Sequence, residues 1–284
     1  MMCASKGTFH STPGNIWTGF HTTFEGENRS FQQVEIPYYL GPLTDTTHSL
    51  QIHIFDDKGN SIHTFQSKPT QKGLNYVNWK LDLPSNHFSD ARIQDEARGI
   101  PVPPGNYKVK LNYQHFTDST TLTVLADPRF ELTPEVDKVL FKYQKTVDLQ
   151  VQKLADILAS IDNKLIKTDS LFNLVSHAKP IDYIITLSKI KIMKSTLQIV
   201  RSKGQTPKPV RQLGAWQTSV ISPYSKLNDL MMIAKARTRL PSKYEWSLLR
   251  EATNSVKIFD KEVNLWVEKE WIPFLEELKK SDLN

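Results

Sequence analysis

The sequence predicts a multi-domain α+β protein, in which an antiparallel β-sandwich is followed by an antiparallel helical bundle. With 284 residues, the chain is longer than a typical single domain. Short runs rich in β-branched and aromatic residues, separated by turn residues, fill residues 33–130. After Thr133-Pro134 the apolar residues recur at three- and four-residue steps. We therefore predict an irregular segment 1–32, a sandwich 33–130 and a helical region 131–284.

Six strands are predicted in the sandwich region. Two of them, Ser49 to Phe55 and Ser61 to Gln66, flank the turn Asp57 to Asn60 and form a hairpin. The other four are Val34 to Leu40, Leu74 to Leu81, Tyr107 to Tyr113 and Thr120 to Leu125. Trp79 has the size to fill the space between two sheets, and its indole nitrogen needs one hydrogen-bond partner. Six short strands in about 95 residues are typical of an immunoglobulin-like sandwich.

Four helices are predicted after residue 131. The first begins at Thr133-Pro134, which form an N-cap and first-turn proline pair. The others run from about Pro180 to Ser202, from roughly Val210 to Arg237, and onward from Pro241. We expect Pro223 to kink the third helix and Pro273 to interrupt the fourth. Short connections between the helices favour an up-and-down bundle.

Composition excludes several classes of protein. No apolar stretch approaches the roughly 20 residues that span a bilayer, so no transmembrane segment is expected. The net charge of +6 is spread over helical faces where acids and bases alternate, which does not favour nucleic-acid binding. Cys3 is the only cysteine, so neither an intramolecular disulfide nor a cysteine zinc site is expected. The opening Met1 to Phe20 is polar and does not have the pattern of a signal peptide.

Motifs of catalysis are absent from the sequence. A glycosidase needs two oriented carboxylates, whereas the adjacent acids here, Glu25 with Glu27 and Asp95 with Glu96, lie in predicted loops. The sequence also contains no nucleophile elbow, phosphate loop or His-Glu-x-x-His motif. We therefore predict no catalytic residue and no cofactor, and a non-catalytic role is favoured over an enzymatic one.

The histidines near the first hairpin raise a metal hypothesis. His53 and His63 are expected on the same, less apolar face, where they could approach each other across the strands, with His48 nearby. Asp56 or Asp57 could add a carboxylate. Because solvent-facing strand histidines are the commoner outcome, we predict no metal-binding residue.

Aromatic residues of the fourth helix are predicted to lie in the core because of their helical spacing. They are Trp246, Phe259, Trp266, Trp271 and Phe274. Trp17, Trp266 and Trp271 become candidate binding residues only where they are exposed.

Six fragments, taken in order, resemble a known family. They are Phe24-x-Gly26-x-Asn28, Ile36-x-Tyr38-Tyr39-Leu40, Ile54-x-Asp56-x-x-Gly59, Gly73-Leu74-Asn75-x-x-x-Trp79, Val102-x-Pro104-Gly105-x-Tyr107-x-Val109-x-Leu111 and Asp127-Pro128-Arg129. Their spacing is similar to the C-terminal region of bacterial sortilin-type, BNR-repeat β-propeller proteins, often labelled glycosyl hydrolases. There, an Ig-like sandwich similar to the FlgD-type domain and a helical segment follow the propeller. Lys80 departs from the acidic residue usual after the motif tryptophan.

The resemblance implies an accessory module, the C-terminal part of a propeller protein, that mediates protein or carbohydrate contacts. The alternative is a glycoside-hydrolase-like enzyme or a degenerate remnant of one. The partners that the resemblance implies are a β-propeller domain, another protein or a carbohydrate. The location that it implies is extracytoplasmic, either secreted or in the cell envelope. We predict structural roles, in turns and core, for the motif residues Asp56, Gly59, Gly73, Trp79, Pro104, Gly105, Tyr107, Asp127, Pro128 and Arg129. Gly59 and Gly105 suit turns that need unusual backbone angles.

Overall fold

A computed structural model gives the fold of most of the chain. It describes residues 8–9, 34–41, 47–84, 99–126, 133–177, 184–205, 211–212, 215–216, 221–235 and 239–280. The predicted α+β class is confirmed, because antiparallel sheets occupy the first half and helices most of the second. Cys3, Trp17, the first motif fragment and Asp127-Pro128-Arg129 lie outside the described residues.

The chain divides into two compact units. The first comprises Met1–Thr146 with Met232–Pro241, and the second comprises Val147–Met231 with Ser242–Asn284.

The first unit contains nine strands among the described residues. They are β1 (Thr8–Phe9), β2 (Val34–Leu40), β3 (Leu50–Phe55), β4 (Ser61–Ser67), β5 (Gly73–Trp79), β6 (Asp82–Leu83), β7 (Ile100–Pro101), β8 (Gly105–Tyr113) and β9 (Phe116–Leu125). Five of them form a sheet in the order β1-β9-β8-β3-β4, in which only β1 lies parallel to its neighbour. Strands β2 and β5 form a separate antiparallel pair, as do β6 and β7.

One hydrophobic core joins these sheets. Each strand presents alternate residues to the core, as the period of two requires. The five-stranded sheet contributes Ile52, Ile54, Val109 and Leu122, and the β2–β5 pair contributes Ile36, Tyr38, Val77 and Trp79. The predicted inward faces of the strands at residues 107–113 and 120–125 are confirmed.

The hairpin of β3 and β4 turns where the sequence predicts. Gly59 has a φ of 82°, a left-handed conformation that favours glycine. The prediction for Gly105 is wrong, because Gly105 begins β8 and has no positive φ, whereas Gly73 has a φ of 93°. A glycine with a positive φ is therefore required at Gly73, where β5 begins, and not at Gly105, where we expected it.

Helices dominate the remainder of the chain. They are α1 (Pro134–His177), α2 (Ile184–Gly204), α3 (Pro223–Lys235), α4 (Lys243–Trp266) and α5 (Ile272–Lys280), with a π-helical turn at Val267–Trp271. The predicted start of α1 is confirmed, since the Thr133 hydroxyl accepts from the Val136 N–H at 3.4 Å. None of the described helices has both the length and the apolar character required to cross a bilayer.

The third helix is shorter than predicted. Two short strands, β10 (Arg211–Gln212) and β11 (Ala215–Trp216), pair antiparallel where we expected helix. Pro223 does not kink α3 but begins it. An N–H at the first helical position would find no acceptor within the helix, so proline, which lacks an N–H, costs nothing there. The Ser222 hydroxyl accepts from the Ser225 N–H at 3.2 Å and caps this end.

The fourth helix starts with a capping box. The Ser242 hydroxyl accepts from the Glu245 N–H, and the Glu245 carboxylate accepts from the Ser242 N–H at 2.7 Å. The predicted interruption near Pro273 takes the form of the π-helical turn that precedes it. Because Pro273 has no N–H to donate, the backbone ahead of it is released from the α-helical bonding pattern.

Candidate interaction surface

Strands β2 and β5 carry apolar residues on both of their faces. Their inner face is the core face already described. On the outer face, the register sets Pro37 opposite Tyr76 and Tyr39 opposite Leu74. Residues directly opposite each other point to the same side of an antiparallel pair. The four side chains therefore form one continuous apolar area, which we call the tyrosine face.

The tyrosine face is open to solvent. Tyr39 is 53% exposed, Leu74 46% and Tyr76 55%, and Pro37 is half-buried. Glu35 and Asn78 are exposed and lie opposite each other at one end of the same face. Contiguous exposed apolar area of this kind on a protein surface commonly marks a site of interaction.

A network of hydrogen bonds from Asn75 fixes the turn at one end of the tyrosine face. The buried Asn75 Oδ1 accepts from the Thr70 N–H at 3.1 Å, the Thr70 hydroxyl at 3.1 Å and the Gln71 N–H at 3.2 Å. Its Nδ2 donates to the carbonyls of Gln71 at 2.7 Å and Gly73 at 3.1 Å. Leu74 therefore follows a turn whose backbone is held from within.

The other end of β5 is anchored by Trp79. Its indole N–H donates to the Asp82 carbonyl at 3.0 Å, which supplies the partner that the sequence required. The buried Asp82 carboxylate accepts from the Gly99 N–H at 2.7 Å, and the Trp79 ring meets Tyr107 edge-on at 5.6 Å. Beneath the tyrosine face, burial raises the pKa of Tyr38, so that side chain stays neutral. The face thus lies on a well-packed, hydrogen-bonded layer.

Several of the motif residues meet at a separate shallow cavity of about 500 Å³. Asp56, Gly59 and Tyr107 line it, together with Lys108 and Lys110 on β8. The Asp56 carboxylate accepts from the N–H groups of Lys58 at 3.0 Å and Asn60 at 2.7 Å, and from Asn60 Nδ2 at 2.8 Å. The bond from the Asn60 side chain is the main reason why the pKa of Asp56 lies below its usual value.

Tyr107 and Asp56, which line this cavity, both form local hydrogen bonds. The Tyr107 hydroxyl donates to the Pro103 carbonyl at 2.6 Å, and burial, followed by the charges of Asp56 and Asp57, raises its pKa. A tyrosine with a raised pKa stays protonated and is a poor general base. The Asp56 carboxylate is occupied by its own turn. Asp56 therefore bonds to its own turn and Tyr107 to the segment before β8.

The predicted approach of His53 and His63 is wrong. His53 lies opposite Thr64, whereas His63 lies opposite Ile54, so the two rings are on different faces of the sheet. A register irregularity between Ile54 and Phe55 accompanies this pairing. His63 Nδ1 lies 3.1 Å from the Asp82 carbonyl, in the part-buried interior. Within the described part of the chain, no group of three or more metal-ligating side chains comes together.

The predicted core tryptophans of the second unit differ in burial, because Trp271 is buried whereas Trp246 and Trp266 are half-buried. Trp271 and Phe274 are buried and their rings lie 5.8 Å apart, which agrees with the predicted core role. Trp271 also borders a shallow cavity of about 420 Å³ with Ser160 and Lys164. The Lys164 ammonium donates to the Ser160 hydroxyl at 2.8 Å, and burial lowers its pKa.

Tyr39, Leu74 and Tyr76 were not among the predicted site residues. The signal that could have identified them is the presence of apolar residues at both odd and even positions of β2 and β5. A strand that buries only one of its faces needs apolar residues at either the odd or the even positions, but not at both.

The chain was also compared with known proteins. No protein-family model matches it, and no curated protein matches it.

Proposed function

We propose that this chain is a non-catalytic accessory module that docks on another protein through the tyrosine face. The observation that carries the proposal is the outward, half-exposed position of Tyr39, Leu74 and Tyr76 on a rigid pair of strands. We propose further that the β-rich part is an Ig-like sandwich and that the helices form an up-and-down bundle. The resemblance to sortilin-type proteins makes a β-propeller the first candidate partner and an extracytoplasmic location the first candidate compartment.

The energy available from the tyrosine face is sufficient for recognition. Complete burial of a large apolar side chain contributes about 1.5–3 kcal/mol, so the exposed halves of these three contribute about 1 kcal/mol each. Together they supply about 3 kcal/mol, or roughly a 100-fold gain in affinity. Because the strands are already ordered, little of that gain is lost in fixing the surface.

A protein partner fits this face better than a carbohydrate. Sugar hydroxyls need hydrogen-bond partners when they are buried, but Leu74 and Pro37 have side chains that cannot provide one. The polar pair Glu35 and Asn78 lies at only one end of the face. The centre of the face is therefore suited to another apolar protein surface.

Support for the enzymatic alternative is weaker. The buried carboxylates among the described residues are Asp82 and Glu245, which belong to different units. Asp82 accepts from a backbone N–H, and Glu245 forms the capping box of α4. Both carboxylates stabilise local structure, whereas a glycosidase requires two that face one substrate.

Photo-crosslinking in the producing cells tests the proposal. A photoreactive phenylalanine analogue replaces Tyr76, and the control places it at Phe116, which is 58% exposed in the same unit. We expect one discrete protein to crosslink from position 76 and not from position 116. That protein, once purified, should bind the full chain, and the double variant L74S/Y76S should weaken binding about 30-fold.

Two outcomes contradict the proposal. In one, the purified partner binds L74S/Y76S and wild-type chain equally. In the other, no protein crosslinks from position 76, while the purified chain binds an immobilised polysaccharide and L74S/Y76S abolishes that binding, which favours a carbohydrate ligand. F116S serves as the matched variant in both binding assays.

A further inference from the structure

Helix α2 of the second unit has a second apolar side, which the described residues of that unit leave exposed. Its inner side holds the buried residues Ile190, Met193, Leu197, Val200 and Gly204. On the opposite side, Ile185 is 72% exposed, Ile192 66% and Ile199 60%. These three isoleucines are seven residues apart, so they form a straight row along the helix.

Serines alternate with the isoleucines in the same row. Ser188, Ser195 and Ser202 are exposed, and each follows an isoleucine by three residues. In heptad terms, isoleucine occupies every a position and serine every d position. A large side chain therefore alternates with a small one along the whole exposed row.

Exposed apolar residues on the neighbouring helices widen this row. The ion pairs of Lys203 with Glu262 and Lys189 with Glu277 join α2 to α4 and α5. Because residues three or four apart share a helix face, Leu265 lies next to Glu262. Leu265 is 51% exposed. Ile166 of α1, 64% exposed, lies between Asp162 and Asp169, which pair with α2 on its other flank. We call this set, together with Ile185, Ile192 and Ile199, the isoleucine surface.

The charges beside the row are largely neutralised within the unit. Helix α2 contains five basic residues and no acidic one. Four of them have acidic partners on other helices: Lys189 with Glu277, Lys194 with Asp169, Arg201 with Asp162 and Lys203 with Glu262. A strongly acidic partner is therefore not required to balance this surface.

We propose that the isoleucine surface binds a second copy of this chain, and that α2 packs antiparallel against α2 of the second copy about a two-fold axis. In an antiparallel helix pair, a positions of one helix face d positions of the other. Ile185 then faces Ser202, Ile192 faces Ser195 and Ile199 faces Ser188 of the second copy. Each layer combines one large and one small side chain, so the row is complementary to itself.

The parallel arrangement fits less well. It stacks isoleucine on isoleucine and serine on serine, which leaves gaps at every serine layer. The antiparallel register also keeps like charges apart, since Lys191 faces Gln198 and Lys189 faces Thr196 of the second copy. Lysine does not oppose lysine across these flanking positions of α2.

The size of the surface is adequate for a dimer. From Ile185 to Ser202 the row extends about 25 Å, at 1.5 Å per residue. With the adjacent rows of α1 and α4 included, it covers an area of several hundred Å² on each copy, close to the roughly 800 Å² of a standard interface. We expect a dissociation constant in the micromolar range.

Sedimentation equilibrium of the full chain provides the first test. We expect wild-type chain to dimerise at micromolar concentration and I192E to raise the dissociation constant at least about 100-fold, because a carboxylate would be buried at the interface. The control is L149E, since Leu149 is 58% exposed on α1 but lies far along that helix from Ile166. L149E should remain dimeric, and circular dichroism should show both variants folded.

Disulfide trapping tests the direction of packing. In a background in which Cys3 is replaced by serine, chains carrying S188C are mixed with chains carrying I199C. The antiparallel register brings these two positions together across the interface, whereas two copies of residue 188 lie about 16 Å apart, too far for a disulfide. We expect crosslinks in the mixture and none in either variant alone.

Three results overturn the proposal. The first is a wild-type chain that stays monomeric up to about 100 μM. The second is a dimer that I192E and L149E affect equally. The third is crosslinking of S188C with itself, which requires parallel helices.

Discussion

Replacement of Asn75 by alanine tests whether the turn before β5 is held from within. The buried Asn75 amide binds both sides of that turn, through Thr70, Gln71 and Gly73. Alanine removes every one of these hydrogen bonds while it leaves the backbone conformation accessible. The N–H groups of Thr70 and Gln71 then lose their acceptor, and the carbonyls of Gln71 and Gly73 lose their donor.

The expected cost follows from the bonds that are lost. A hydrogen bond contributes about 1 kcal/mol net, and Asn75 donates two and accepts three. Thr70 and Gln71 are exposed, so water replaces part of what they lose. We expect the free energy of unfolding of the first unit to fall by about 3 kcal/mol, which lowers its melting temperature by about 8 °C.

Hydrogen exchange and thermal unfolding measure this effect together. In N75A, the amide hydrogens of Thr70 and Gln71 should exchange much faster, while those of the β3–β8 ladder should retain their order of protection. Asn78→Ala is the matched control, because Asn78 is exposed on the same strand and its replacement should change stability by less than about 0.5 kcal/mol. Unchanged exchange at residues 70 and 71 in N75A would refute the reasoning.

Three further changes have defined outcomes. G99A should unfold the first unit or destabilise it by more than about 3 kcal/mol, measured by thermal melting, since a Cβ there would lie 1.6 Å from the Leu83 carbonyl oxygen. S242A should lower the stability of the second unit by about 1 kcal/mol in urea unfolding, because α4 loses its cap. The lowered pKa of Asp56 stabilises the folded state above the unfolded pKa of about 4, and this stabilisation is lost as the pH falls through the folded pKa. The urea midpoint should therefore fall less between pH 6 and pH 3 in D56N than in wild type.

Much of the fold was predictable because local patterns determine it. The bounds of β2 and the inward residues of β8 follow from alternation at a period of two. The starts of α1 and α4 follow from Thr133 and Ser242, whose hydroxyls cap the first turn.

The errors arose where one residue type has two structural uses. Proline inside a helical pattern kinks the helix, but proline after a capping serine begins one, and Pro223 follows Ser222. Likewise, glycine at a turn can supply either a positive φ or only a tight approach, so Gly105 could not be distinguished from Gly73. The faces of His53 and His63 depend on the register of β4, which alternation within one strand does not determine.

The tyrosine face was not predictable for a related reason. Alternation divides Pro37, Tyr38, Tyr39 and Leu40 between two faces but does not decide which face is buried when both are apolar. That choice depends on β5, where Val77 and Trp79 lie on one side and Tyr76 on the other. Only the pairing of the two strands identifies Tyr39 as an outward residue.

Helix α2 has the same property. An element that packs in one core needs one apolar face, and both the β2–β5 pair and α2 have two. A second apolar face promotes aggregation while it stays uncovered, so it is an advantage only when a partner covers it. Because the outward residues of the two elements differ in kind, the partners should differ as well. Tyrosines on a flat strand pair suit a different protein, whereas isoleucines spaced to interlock with serines suit an identical helix.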